Sequence, residues 1–233
     1  MRRVPLSLPV PGAVLDAVLF EPDGAASLGV VFSHGWGGSH RFDDLLERLA
    51  GNGVAGLRFF QRGFAPSTGA PDLARWPDDM ISAAAVLESR GLGVWFGGQS
   101  TGATMAIAAC ARRPSARGFF AIAPFASIPE ILRDNPDARI ALARRFGTLS
   151  REAEEASDAR RHLAAIGGRP GLVVSSRADD TVPFAHGEEV AKAGGPNIRF
   201  LALDRGNHVL SDVDRAPVFE AVEALLGIGG RPA

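Results

Sequence analysis

The chain has 233 residues, of which 46% are apolar and 22% charged, and its formal net charge is -1. That length suits one large α/β domain or two small ones, and so balanced a charge gives no support for nucleic-acid or polyanion binding. No apolar run approaches the ~20 residues of a membrane span, and the lone cysteine, Cys110, excludes an intrachain disulfide.

Met1-Arg2-Arg3 is basic, but Pro5, Pro9 and Pro11 interrupt the stretch after it, so no secretory apolar region forms and a soluble cytoplasmic protein is expected. Val14 to Phe20 reads as an early strand, closed by the turn Glu21-Pro22-Asp23-Gly24. Leu28 to Ser33 is a continuous apolar run, as expected of a strand buried on both faces, and ends in His34-Gly35-Trp36-Gly37-Gly38. Ser39 is then placed to cap a helix bearing Phe42, Leu45, Leu46 and Leu49 on one side. Gly53 to Phe60 gives the next strand and Gln61-Arg62-Gly63 begins the loop after it. Leu73, Trp76, Met80, Ala84 and Leu87 recur at helical spacing.

Val94-Trp95-Phe96 enters Gly97-Gly98-Gln99-Ser100-Thr101-Gly102-Ala103, and a helical run of small and apolar residues leaves it. Strand, sharp turn and helix form the setting in which G-x-S-x-G carries chemistry, with the serine at the tip of a strained turn. Without that setting the pattern would read as a Gly-rich turn with Ser100 as a helix cap. Cys110 falls in the helix after the turn and is expected to pack as a small hydrophobe.

Gly118 to Ala123 is another strand. From Phe125 to about Gly168 no strand is expected; apolar residues are scattered among charges, and Ser150 begins a helical segment over Arg151 to Ile166. Leu172 to Ser176 restores the strand pattern and leads to Arg177-Ala178-Asp179-Asp180-Thr181-Val182-Pro183. A helix over Phe184 to Ala193, a last strand over Ile198 to Leu203 and the loop Gly206-Asn207-His208-Val209-Leu210 come next. Ser211 with Asp214 resembles a capping box before a helix lined by Val218, Phe219, Val222, Leu225 and Leu226. The tail from Gly227 to Ala233 is expected to fray.

Strands alternating with helices imply a mainly parallel sheet, whose reactive groups gather beyond the carboxyl ends of the strands. His34, Ser100, Asp179 and His208 all lie just after expected strand ends. An alcohol needs a base as it attacks, and a histidine held by a carboxylate suits that task. Ser100, Asp179 and His208 supply these parts in the order Ser…Asp…His. His186 sits inside an expected helix and is expected to face solvent, while His162 and His40 read as structural or surface residues. A metal site from His34, His40, Asp43 and Asp44 lacks any supporting spacing, and neither a P-loop nor G-x-G-x-x-G is present.

These motifs together resemble the α/β-hydrolases, in particular the small bacterial carboxylesterase and monoacylglycerol-lipase-like group. The resemblance implies one domain over 1–233, with a small helical cap inserted at about 125–168. It selects Asp179 over Asp180, because the family places its acid three residues before Val or Ile and Val182 stands there. It implies an oxyanion hole from the backbone N–H groups of Trp36 and Thr101, and no cofactor or metal. Phe60 stands where the family often has Asp. The cap suggests an acyl pocket roofed by residues such as Ile131 and Phe146, with Trp36 and Phe125 near its mouth. The implied activity is hydrolysis of small to medium acyl esters, the partner being a small-molecule acyl substrate. A thioesterase, amidase or peptidase with the same triad is an alternative, as is a ligand-binding protein on a hydrolase scaffold.

Overall fold

Alternation at the N-terminus builds the first strand of the computed structural model, which describes residues 1–228. In β1 (Arg2–Val10), Val4, Leu6, Leu8 and Val10 turn inward while Pro5, Ser7 and Pro9 are exposed. β2 (Ala13–Glu21) pairs with it antiparallel, setting Leu8 opposite Leu15 and Leu6 opposite Ala17. Prolines argue against a strand in general. An edge strand, however, uses only half of its N–H groups, and Pro5 and Pro9 share one parity, so the pairing survives them.

The remaining strands lie where the apolar runs placed them: β3 (Leu28–Ser33), β4 (Val54–Phe59), β5 (Gly93–Gln99), β6 (Gly118–Ile122), β7 (Gly171–Ser176) and β8 (Ile198–Leu203). The sheet order is β1-β2-β4-β3-β5-β6-β7-β8. β2 runs antiparallel to β4, and every pairing from β4 to β8 is parallel. The chain thus has the mainly parallel sheet of the expected α/β-hydrolase fold.

Helices cover both faces. One face packs α1 (Asp43–Gly51) and α9 (Ala216–Leu226) through Phe42, Leu45, Leu46, Leu49, Val218, Phe219 and Val222. The other packs α2 (Trp76–Glu88), α3 (Thr101–Arg112) and α8 (Phe184–Ala193) against Val31, Leu57, Phe96 and Phe119. Cys110 is buried there among apolar neighbours, and burial pushes its thiol up to about 11, so it packs as a hydrophobe.

Between β6 and β7 lie α4 (Ile128–Asp134), α5 (Pro136–Phe146), α6 (Arg151–Ala156) and α7 (Ala159–Ala164). The helix expected over 151–166 breaks after Ala156, where Asp158 caps α7 by accepting from the N–H groups of Arg160 and Arg161. Two expected caps are corrected. α1 starts at Asp43 rather than after Ser39, whose hydroxyl accepts from Arg41 instead. α9 starts at Ala216; Asp214 accepts the Ala216 N–H, and Ser211 is drawn back to Asn207. Of the tail expected to fray, residues 229–233 lie outside the described residues.

Candidate active site

The turn from β5 into α3 holds Ser100 at φ 58 and ψ -126, a conformation costly for any residue but glycine. Hydrogen bonds impose it: the Ser100 N–H donates to the Ile122 carbonyl at 2.8 Å, and the Ser100 carbonyl accepts from Ala103 and Thr104. The flanking glycines permit it. A Cβ on Gly98 would lie 2.3 Å from the Gly102 carbonyl carbon, and one on Gly102 would lie 2.3 Å from the Ser33 carbonyl oxygen.

Across from Ser100 runs the loop after β3. A Cβ on Gly35 would come within 3.0 Å of Ser100 Cβ, a tight contact that glycine avoids. The loop is fastened from below by His34, which is buried. Its Nδ1–H donates to the Gly35 carbonyl at 2.5 Å, and its Nε2 accepts the Gln61 N–H at 3.0 Å. Burial lowers its pKa to about 4, so the ring stays neutral and keeps that acceptor. Gln61 also donates to Ser33 Oγ. Arg62 is forked onto Asp79 of α2 at 2.6 and 2.7 Å, and Phe64 packs against Gly38. The Gln61-Arg62-Gly63 motif therefore braces the loop bearing Trp36. Phe60, in place of the family's Asp, lies edge-on to His40, ring centroids 4.4 Å apart. The Trp36 ring stacks on Phe125 at 6.1 Å and 28°. Among the described residues, the backbone N–H groups of Trp36 and Thr101 donate to no protein acceptor.

On the far side, the loops after β7 and β8 bring Asp179 and His208 together. His208 Nδ1 lies 2.9 Å from Asp179 Oδ2 and 3.1 Å from Oδ1. Asp179 Oδ1 also accepts the N–H groups of Thr181 and Val182, which fixes the carboxylate. Asp180 instead accepts from Thr181 Oγ1, and no hydrogen bond joins it to the histidine among the described residues.

Ser100 and His208 line one small cavity of about 200 Å³, together with Gly35, Trp36, Arg41, Gln99 and Val209. No hydrogen bond joins Ser100 Oγ to His208 among the described residues. The His208 Nε2 instead faces the side-chain nitrogen of Gln99 at 3.1 Å. Sequence reasoning misses Gln99; its place directly before the serine of G-x-S-x-G is the one signal available. Of the expected acyl-pocket residues, only Trp36 lines this cavity. Phe125 and Ile131 are fully buried in the core, and Phe146 packs edge-on against Trp76 at 6.0 Å. Their apolar area joins the helical segment to the core.

Two wider clefts, of about 580 and 670 Å³, lie elsewhere. The first holds Ser150 and His162, but Ser150 Oγ accepts the Ala153 N–H, and His162 Nε2 lies against the Glu155 and Ala156 carbonyls. His186 does not face solvent as expected. It is buried, its Nδ1 accepts the Ala126 N–H at 3.2 Å, and its Nε2 lies 3.3 Å from Asp134. In α8 the inward positions repeat at helical spacing, and His186 shares the face of Val190.

The sheet order is that of an α/β-hydrolase. The family model described as serine aminopeptidase, S33, matches residues 25–165, more than half of the chain. The chain therefore belongs to that family. It is similar to the ferulic-acid complex of Est1E from Butyrivibrio proteoclasticus, with a TM-score of 0.78 and 19% identity over 95% of this chain and 97% of that one. It is similar also to an esterase from Pyrococcus furiosus, with a TM-score of 0.79 and 17% identity over 97% and 90% of the two chains. The esterase domain of a Rhodothermus marinus protein matches at a TM-score of 0.75 and 20% identity over 96% and 97%. No curated protein sequence matches the chain significantly.

Proposed function

We propose that the protein is a serine esterase for short acyl esters, with Ser100 as nucleophile, His208 as general base and Asp179 as its orienting acid. In this reading His208 Nε2 takes the Ser100 proton as Oγ adds to the ester carbonyl. The tetrahedral oxyanion is met by the N–H groups of Trp36 and Thr101. Collapse releases the alcohol, protonated by His208, and leaves Ser100 acylated. Water then attacks, with His208 again the base. The helical insertion at 125–168 serves as a cap that buttresses Trp36 through Phe125.

The observation that carries the reading is that His208, held by Asp179 at 2.9 Å, lines one cavity with a serine strained into the left-handed region. The cavity of about 200 Å³ lies below the ~300 Å³ at which sites for drug-sized ligands begin, which supports a short acyl group. The family's description raises amide cleavage as a second reading. An aminopeptidase must hold a free ammonium, however, and among the described residues this cavity is lined by the cationic Arg41 and by no carboxylate. Arg41 would repel that ammonium, so esters are favoured.

The test is steady-state kinetics on p-nitrophenyl esters of graded length beside aminoacyl p-nitroanilides. The expected outcome is turnover of acetyl and butyryl esters, falling with chain length, and none of the anilides. Ser100→Ala is expected to lower kcat on the best ester by about three orders of magnitude or more with the fold intact. Anilide turnover above that of every ester would overturn the ester reading, and near-normal turnover by Ser100→Ala would overturn the mechanism.

A further inference from the structure

The Gln99 side chain lies against the base of the candidate triad, and its orientation is fixed by its partners. Its nitrogen lies 3.2 Å from the His208 carbonyl oxygen and 3.1 Å from His208 Nε2. A carbonyl oxygen only accepts, so the amide must present its NH2 group here; the reverse orientation would set two oxygens against each other. An NH2 group has two hydrogens, and one goes to each partner. His208 Nε2 is then an acceptor, the ring is neutral, and its proton sits on Nδ1 towards Asp179. This is the tautomer a general base needs, but its lone pair is already occupied.

We infer that Gln99 is a positioning residue that parks His208 as a neutral base, donating to the lone pair that must later receive the Ser100 proton. The inference rests on the proposed roles of Ser100 and His208. Substrate entry lets the Ser100 hydroxyl take Gln99's place at Nε2. When Oγ attacks, the O–H bond breaks, an N–H bond forms on Nε2, and the carbonyl π pair moves onto oxygen. The imidazolium N–H then confronts the Gln99 NH2, donor against donor. It is turned away from Gln99 and towards the departing alcohol, to which the proton passes. Gln99 thus favours the neutral ring before the reaction and disfavours the cation near itself afterwards.

Gln99→Leu removes the donor at Nε2, and with it the contact that only the neutral ring can make. The acid limb of the kcat/KM profile of Gln99→Leu is expected to move up by about half a pH unit to one unit. Gln99→Glu, of equal length, places a carboxylate by Nε2 and is expected to move the limb further up still. The order wild type, Leu, Glu is a signature that a packing role would not produce. Should Gln99→Leu not fold, Gln99→Met, of similar length and without an NH2 group, takes its place, and an unmoved limb there overturns the role of Gln99. In parallel, 15N NMR of the wild-type enzyme above the limb is expected to find His208 protonated on Nδ1 with Nε2 hydrogen-bonded. Fluorophosphonate labelling of each protein separates the two layers. If Ser100 is labelled in all of them and the limb stays fixed, the role of Gln99 is overturned and the triad stands. If wild-type Ser100 is not labelled, the triad reading falls and this inference with it.

Discussion

His34 and His40 sit side by side in the segment after β3, ring centroids 5.3 Å apart and edge to face. Both are neutral because burial opposes charge, His34 at a pKa of about 4 and His40 at about 2. Each folded value lies below the ordinary ~6.5 of the unfolded chain. As pH falls below 6.5 the unfolded state takes up protons first, so stability is present above 6.5 and is lost towards pH 4. His34 alone would account for about 3 kcal/mol across that window. The two rings differ in one respect. His34 spends both nitrogens on backbone partners, whereas both His40 nitrogens are closed off from solvent and have no partner among the described residues. His40→Phe is therefore expected to raise stability at neutral pH by about 1 kcal/mol and to lessen the loss between pH 6.5 and 4. Urea midpoints at pH 7.5 and 4.5 check this; an unchanged difference between them would contradict it. The sequence places the two histidines near each other along the chain but does not show their burial, since His40 packs on Phe60, from the end of another strand. The same holds for His186, which helical spacing alone leaves on either face.

Elements carry the site through their ends. The turn after β5 and the loops after β3, β7 and β8 are legible in the sequence because backbone geometry there demands particular residue types. Gly102 is the sharpest case, with the carbonyl oxygens of Ser33 and His34 2.3 and 2.4 Å from where a Cβ would stand. These are backbone atoms at the end of a core strand and cannot yield. Gly102→Ala is expected to abolish ester turnover, with the loss of soluble folded protein or of Ser100 labelling as the readout. The Arg62–Asp79 pair between the loop after β4 and α2 makes a second prediction. Arg62 is 8% and Asp79 1% exposed, and burial holds the Asp79 carboxyl above its ordinary range despite the guanidinium. Arg62→Met alone leaves that carboxylate unpaired and is expected to cost about 3–5 kcal/mol. Adding Asp79→Leu is expected to restore much of it; a double variant no better than the single would contradict the pairing. Element starts are less legible. Ser39, Ser211 and Asp214 all have capping side chains, yet α1 begins at Asp43 and α9 at Ala216.

At the scale of the molecule, alternating apolar runs define the sheet and the motifs define where its working edge lies. β1 escapes a sequence reading because its prolines look like breakers, and an edge strand forgives them. The segment between β6 and β7 is legible as helical but not in its packing. An apolar residue in a charged stretch fits a ligand pocket and a core contact equally well, and the fold sends Ile131 to the core and leaves Ile140 52% exposed. Ile131→Ala is accordingly expected to lower stability by about 2–5 kcal/mol while leaving the acyl-length profile unaltered. A shifted profile would return Ile131 to the pocket.

All of the proposed chemistry begins at one hydroxyl, and intact-mass analysis after fluorophosphonate treatment addresses it most directly. The expected result is a single adduct, mapped to Ser100, absent from Ser100→Ala and formed at least ~100-fold more slowly by His208→Ala. An adduct on another residue, or labelling of Ser100→Ala at the wild-type rate, would contradict it.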